Sequence, residues 1–146
     1  MRVFPRVAIS LFLLSTALVE GRVFRDWSEE ELSAKADLVV MAASTASKDT
    51  AERTELEGYS LIGVETKFSV SKVLKGNQKT KTLVLHHYRY AYASGTPPNS
   101  ATLGIPFDPA KKHAFRLYLV RETDGRYAPV AGQLDGFEMS VREIAK

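Results

Sequence analysis

Along residues 58–74, Val64, Thr66, Phe68 and Val70 alternate with Glu65, Lys67, Ser69 and Ser71. A period of two puts one row of side chains in a core and the other in water, so this stretch predicts a long half-buried strand. Lys75, Gly76 and Asn77 end it with a turn. Residues 37–45 (DLVVMAAST) are almost continuously apolar and predict a strand covered on both faces. The polar, acidic residues 48–57 that separate these two stretches predict a loop. A third strand is expected from Thr82 to about Tyr92, and a fourth over residues 113–121, where Phe115, Leu117 and Leu119 share a face.

Asp124-Gly125 between two strand-like runs predicts a tight hairpin of type I′, because that turn needs positive φ at both central positions. The return strand, residues 127–131, carries Pro129, which suits an edge or a bulge. Residues 132–136 turn again, and residues 139–145 predict a short terminal helix or strand. Ahead of all the strands, Ser28 and Glu31 form a capping box for a short helix ending near Ala36, with Leu32 and Ala36 on its inner face. Four of the six prolines fall in residues 94–112, which predict a long loop.

Five strands with one or two short helices predict a mainly β fold, a small antiparallel barrel or sandwich. A strand as long as residues 58–74 favours the barrel, since a bent strand can serve both sides of a closure.

The first residues change the picture of where the chain works. Arg2 and Arg6 precede residues 7–19, a run without charge. That run is short of the roughly 20 apolar residues a membrane-spanning helix needs, and it has the length of a secretory signal. Cleavage is expected after Ala17 or Gly21; Gly21 is preferred, giving a signal peptide at 1–21 and a single domain at 22–146. Export to the periplasm or beyond follows. Among the 146 residues there is no cysteine, so disulfides, thiolate metal sites and thiol catalysis are excluded. Charge is split along the chain. Residues 26–65 hold ten acids and three bases, residues 66–146 thirteen bases and six acids. Either the halves neutralise each other in space, or the strip Lys67, Lys72, Lys75, Lys79 and Lys81 faces an acidic partner, a membrane or a polyanion.

The order of these signatures resembles a known class. It runs from Ala36-Asp37-Leu38-Val39-Val40, through Phe68, Val70 and Val73-Leu74-Lys75-Gly76, to the hairpin of residues 115–127 and then Gly132 and Ser140-Val141. It resembles small exported bacterial proteins of the netrin-module and metalloproteinase-inhibitor (TIMP-like) type, which implies an OB-like barrel over residues 34–144. The inhibitors of that class place an N-terminal cysteine on a protease zinc. With no cysteine here, no inhibitory residue carries over, and the resemblance implies the fold alone.

For chemistry, Tyr88, Tyr90 and Tyr92 fall on one face of the third strand and Arg89 on the other. A tyrosine ladder is a platform for a sugar, a peptide or a base. Leu83 and Leu85 share Arg89's face, so the apolar side switches along the strand, and a bulge near His86 and His87 is expected to allow it. Tyr88, Arg89, Tyr90 and Tyr92, with Lys72 and Lys75, are therefore the expected ligand-binding residues. His86 and His87 point to opposite faces, and His113 is the remaining histidine; no spaced metal motif joins them, and no cofactor is expected. Residues 58–63 approximate G-x-S-x-G with one residue too many. The sequence thus favours an exported, non-enzymatic binding module for an envelope or extracellular protein or polysaccharide. The alternatives are a protein using His86 or His87 with His113, for metal binding or hydrolysis, and a nucleic-acid-binding OB domain if the chain is not exported.

Overall fold

The computed structural model describes residues 26–56, 58–91, 113–134 and 139–144; the expected signal peptide, Tyr92 and the proline-rich loop lie outside them. Helix α1 (Glu29–Lys35) is followed by strands β1 (Leu38–Leu56), β2 (Tyr59–Lys75), β3 (Thr82–Tyr90), β4 (Ala114–Arg121), β5 (Tyr127–Pro129) and β6 (Val141–Glu143). The strands join in the order β1-β2-β3-β5-β4, and β4 pairs back onto β1, which closes a five-strand ring. Every pairing is antiparallel except β3 with β5, which are parallel through Leu85 and Tyr127. The result is a small, mainly β barrel, OB-like in its strand order. β6 lies along β4 beside Phe115–Leu117, where β5 does not reach.

Closure depends on β1. Its residues 38–43 pair with β4, and from Val39 onward it also pairs with β2. Its register against β2 shifts four times, the last between Asp49 and Arg53. Extra residues on one strand of a pair bend it and increase its twist, which lets a single strand wrap around a barrel. The expected loop at 48–57 is corrected here: the strand continues to Leu56, paired with β2 as far as Tyr59. Main-chain hydrogen bonds hold this arm, so its polar composition hid it.

Inside the ring, Leu38, Val40, Phe68, Leu85, Leu117 and Leu119 form an apolar layer, with Phe68 and Phe115 packed edge to face at 5.9 Å. The inward row of β3 then changes character from Leu83 and Leu85 to His87 and Arg89. The inward-facing rows thus grade from apolar, through Thr66 and His87 with the exposed Ser47 beside them, to a largely exposed Arg89–Asp49 ion pair.

Outside the ring, α1 covers a second cluster of Leu32, Ala36, Val39 and Tyr118. The capping box is present, with Ser28 Oγ accepting from Glu31 N and Glu31 Oε2 accepting from Ser28 N. Glu29 fastens the helix to β4 by accepting from Tyr118 Oη (2.8 Å) and Arg116 Nη1 (2.6 Å). No helix among the described residues is long and apolar enough to cross a membrane.

Two further expectations are corrected, and one left open is decided. β3 pairs with β2 in unbroken register from Leu61–Tyr90 to Ser69–Thr82, so there is no bulge at His86 and His87. The apolar side changes because the outer face of β3 is itself covered. The β4–β5 loop has three residues, closed by Glu122 N donating to Arg126 O, with Gly125 at φ 89°; a three-residue loop needs one left-handed residue at its end, where the expected two-residue loop needs two. At the C-terminal end a strand forms, leaving α1 as the one helix among the described residues.

Candidate functional site

The split of charge along the chain is partly neutralised in the fold, mainly through arginines. Arg89, Arg116, Arg126 and Arg142 from the basic half reach Asp49, Glu29 and Glu52 from the acidic half. The planar guanidinium suits such multidentate pairing, whereas lysine is a flexible point charge. Among the described residues, Lys67, Lys72, Lys79 and Lys81 meet no acid.

The densest cluster forms on the outer face of β2 and β3. Opposite Tyr88 on β2 stands Gly63, and the bulge of β1 at 50–52 folds down over it. A Cβ at Gly63 would lie 2.5 Å from Thr50 Oγ1 and 2.7 Å from Glu52 Oε2, so only glycine admits the bulge. Glu52 thereby passes over β2 and brings Oε2 to 2.6 Å from His86 Nε2. The two buried atoms are in ion-pair range but off the direction of a hydrogen bond. On the ring's other side, Nδ1 lies 2.9 Å from Glu122 Oε2, and the Gln133 amide contacts both groups.

Arg126 closes the cluster, with Glu52 at 3.0 Å, Asp124 at 2.8 Å, Glu65 at 3.3 Å and Glu122 at 3.7 Å. Its hydrogen bond holds the Glu52 carboxyl below the usual carboxylate range, with the neighbouring imidazole adding to the effect. Burial pushes the Tyr88 hydroxyl up, helped by Glu52 and Glu122. The cluster ties the β1 bulge, β3 and the β4–β5 hairpin together.

His87 serves a different end. Burial, and then the imidazole of His86, lower it to about 4, so it is neutral near pH 7. Nε2 lies 2.9 Å from Thr66 Oγ1, which lies 3.0 Å from Ser47 Oγ. Nδ1 is buried without a partner, so no acid orients this imidazole toward the hydroxyls.

Beside the cluster opens a cleft of about 920 Å³. One wall is the β2–β3 connection with Asn77, Lys79 and Thr80; the other is the hairpin from Arg121 to Arg126; Lys67 and Val84 stand on the strands between. Arg126 and Asp124 hold each other along the hairpin wall, and Asp124 is drawn below the carboxylate range by the Arg126 backbone N–H and then its guanidinium. Lys67, Lys79 and the side chain of Arg121 have no carboxylate among the described residues. Leu83 and Tyr127 border the cleft but are buried.

The expected site residues are dispersed. Tyr88 is half-buried against His86 at 5.1 Å. Tyr90 is only 3% exposed and packs edge-on against Tyr59, and Arg89 is held by Asp49, so the described part of the strand presents no open tyrosine ladder. Lys75 donates to the Ser33 carbonyl at the end of α1 (2.6 Å), and Lys72 is exposed. His113 pairs with Glu143 at the start of β4, whereas Glu122, which holds His86, follows that strand's other end. At about 3.3 Å per residue the two places are separated by more than 20 Å. The three histidines do not converge. Among the described residues, no group of three or more potential ligands is placed to hold a metal ion.

Sequence reasoning passed over Glu52, Glu122, Arg126 and Gln133. The available signal was Gly63, a glycine inside an alternating strand, which marks a close backbone approach. No protein-family model matches this chain, and no curated protein matches it.

Proposed function

We propose that this chain is an exported, non-enzymatic binding module whose partner is a protein or polysaccharide of the cell envelope or its surroundings. The carrying observation is the set of three cations, Lys67, Lys79 and Arg121, that surround one cleft and whose side chains meet no carboxylate among the described residues. Where Arg89, Arg116, Arg126 and Arg142 are held by carboxylates, cations left free on a shared concave surface are available to an anionic partner. The leader-like residues 1–21 support export. The polar side chains that resemble catalytic groups support a structural role instead. His86 is wedged between two carboxylates, and His87 faces Thr66 with no acid behind it. The netrin-module and TIMP-like resemblance enters this reading for the fold alone.

Immobilised protein is expected to retain a specific component of an envelope extract, and Lys67→Glu with Lys79→Glu is expected to release it. Equal retention by that variant, or none by the unaltered protein, contradicts the proposal.

A further inference from the structure

We infer that the ligand of the cleft is an acidic polysaccharide, bearing carboxylate or sulfate groups, held between the β2–β3 connection and the β4–β5 hairpin. This rests on the reading of the chain as a binding module and narrows it to one chemical class.

Three observations select the class. First, among the described residues that line the cleft the free charges are all positive, since Asp124 is engaged by Arg126 through two hydrogen bonds of 2.9 and 2.8 Å. Lys67, Lys79 and Arg121 therefore set the sign of the ligand. Second, the surface between them carries hydroxyls and an amide. Gln78 and Thr80 are spent on Thr82 O and on each other, but the side chains of Asn77 and Thr82 remain open. Neutral donors and acceptors interleaved with cations match a chain that alternates hydroxyls with anionic groups.

Third, features that other polyanions require are missing from the described cleft. An acidic protein needs an apolar or aromatic anchor pocket at the centre of its interface. Here Leu83 and Tyr127 are 4% and 7% exposed, and Tyr127 Oη is bonded to Gln78 Oε1. An extended peptide would need a free strand edge, whereas β3 is paired with β2 on one side, and on the other its Leu85 pairs with Tyr127 of β5. A single-stranded nucleic acid needs exposed aromatic faces for its bases to stack on, and the described residues that line the cleft offer none.

The hairpin wall is prepared in advance. Arg126 is fixed by Glu52, which reaches it only over Gly63, so the chain from Gly63 through Glu52 to Arg126 positions the wall without touching ligand. Ordering the wall before binding reduces the entropy lost when the ligand arrives.

The test is calorimetric titration of the purified protein at physiological salt. The probes are a galacturonate oligomer, a sulfated oligosaccharide, a neutral dextran of similar length, a polyglutamate peptide and a single-stranded oligonucleotide. One or both acidic saccharides are expected to bind, at least tenfold tighter than the other three. Lys67→Gln with Lys79→Gln and Arg121→Gln is expected to weaken saccharide binding tenfold or more. Asn77→Ala with Thr82→Val is expected to weaken it without changing net charge. Thermal unfolding of each variant separates loss of binding from loss of fold. Polyglutamate or the oligonucleotide binding as tightly as the saccharides would overturn the inference. So would an unchanged affinity in the Asn77/Thr82 variant. If the protein retains an envelope component but binds no acidic saccharide, the ligand class is wrong and the binding-module reading stands; if it retains nothing and binds nothing, both fall.

Discussion

The Glu52 carboxylate and the His86 imidazole meet at 2.6 Å although their strands are not neighbours in the sheet. β2 lies between them, and the contact passes over Gly63, where a side chain would collide with both Thr50 and Glu52. One absent Cβ thus joins the β1 arm to the far side of the sheet and, through Arg126, to the hairpin beside the cleft.

Gly63→Ala should therefore cost about 1–3 kcal/mol, as overpacking does in a close-packed site. It should also move the backbone resonances of Thr50 to Glu52 and the ring resonances of His86. Ser69→Ala, exposed on the same strand, should stay within about 0.5 kcal/mol of the parent. Equal stability of the two variants in urea unfolding would contradict the contact.

Arg126→Met leaves Glu52, Glu65, Glu122 and Asp124 facing one another without their shared cation. With the Arg126 side chain only 19% exposed, the loss should be about 3 kcal/mol near pH 7. Arg126 holds Glu52 below its ordinary value of 4.5, so that part of the stabilisation is present above pH 4.5 and disappears as pH falls through the lowered value. The gap between variant and parent, read from unfolding midpoints, should narrow in acid. A constant gap would show that packing, and not charge, accounts for the loss.

His87 gives a second pH dependence, higher in the range. Its folded value of about 4 lies below the ordinary 6.5, so the unfolded chain takes up a proton first. Its contribution is complete above pH 6.5 and is lost as pH falls toward 4, on the order of 3 kcal/mol in all. His87→Gln should flatten the stability curve across that window while lowering stability near pH 7. An unchanged slope between pH 6.5 and 4 would place the titration elsewhere.

Edman sequencing of the native protein from the exported fraction should begin at Arg22, the residue after Gly21. A start at Leu18 would move the cleavage to Ala17, and intact Met1 on cytosolic material would contradict export.

The sequence and the fold agree where a local rule suffices. The capping box of α1, the alternation of β2 and the left-handed Gly125 are each set by residues within a few positions of one another. The arm from Lys48 to Leu56 was hidden because backbone pairing, which leaves no apolar rhythm, makes it a strand. The His86 cluster was hidden for another reason. Glu52, His86 and Glu122 are more than thirty residues apart from one to the next and meet only when the ring closes. The tyrosine strand was legible in its alternation but not in its burial, since Tyr59 covers Tyr90 from a neighbouring strand.

Binding at the free cations of the cleft can be followed residue by residue through backbone amide shifts recorded during titration with an acidic oligosaccharide. The shifts should concentrate at Lys67, Asn77, Lys79, Thr82 and Arg121, with little change at Leu74 or Tyr90. Perturbations centred on Tyr88 to Tyr90, or on the face of α1 and Leu74, would contradict it, as would a spectrum that does not move at all.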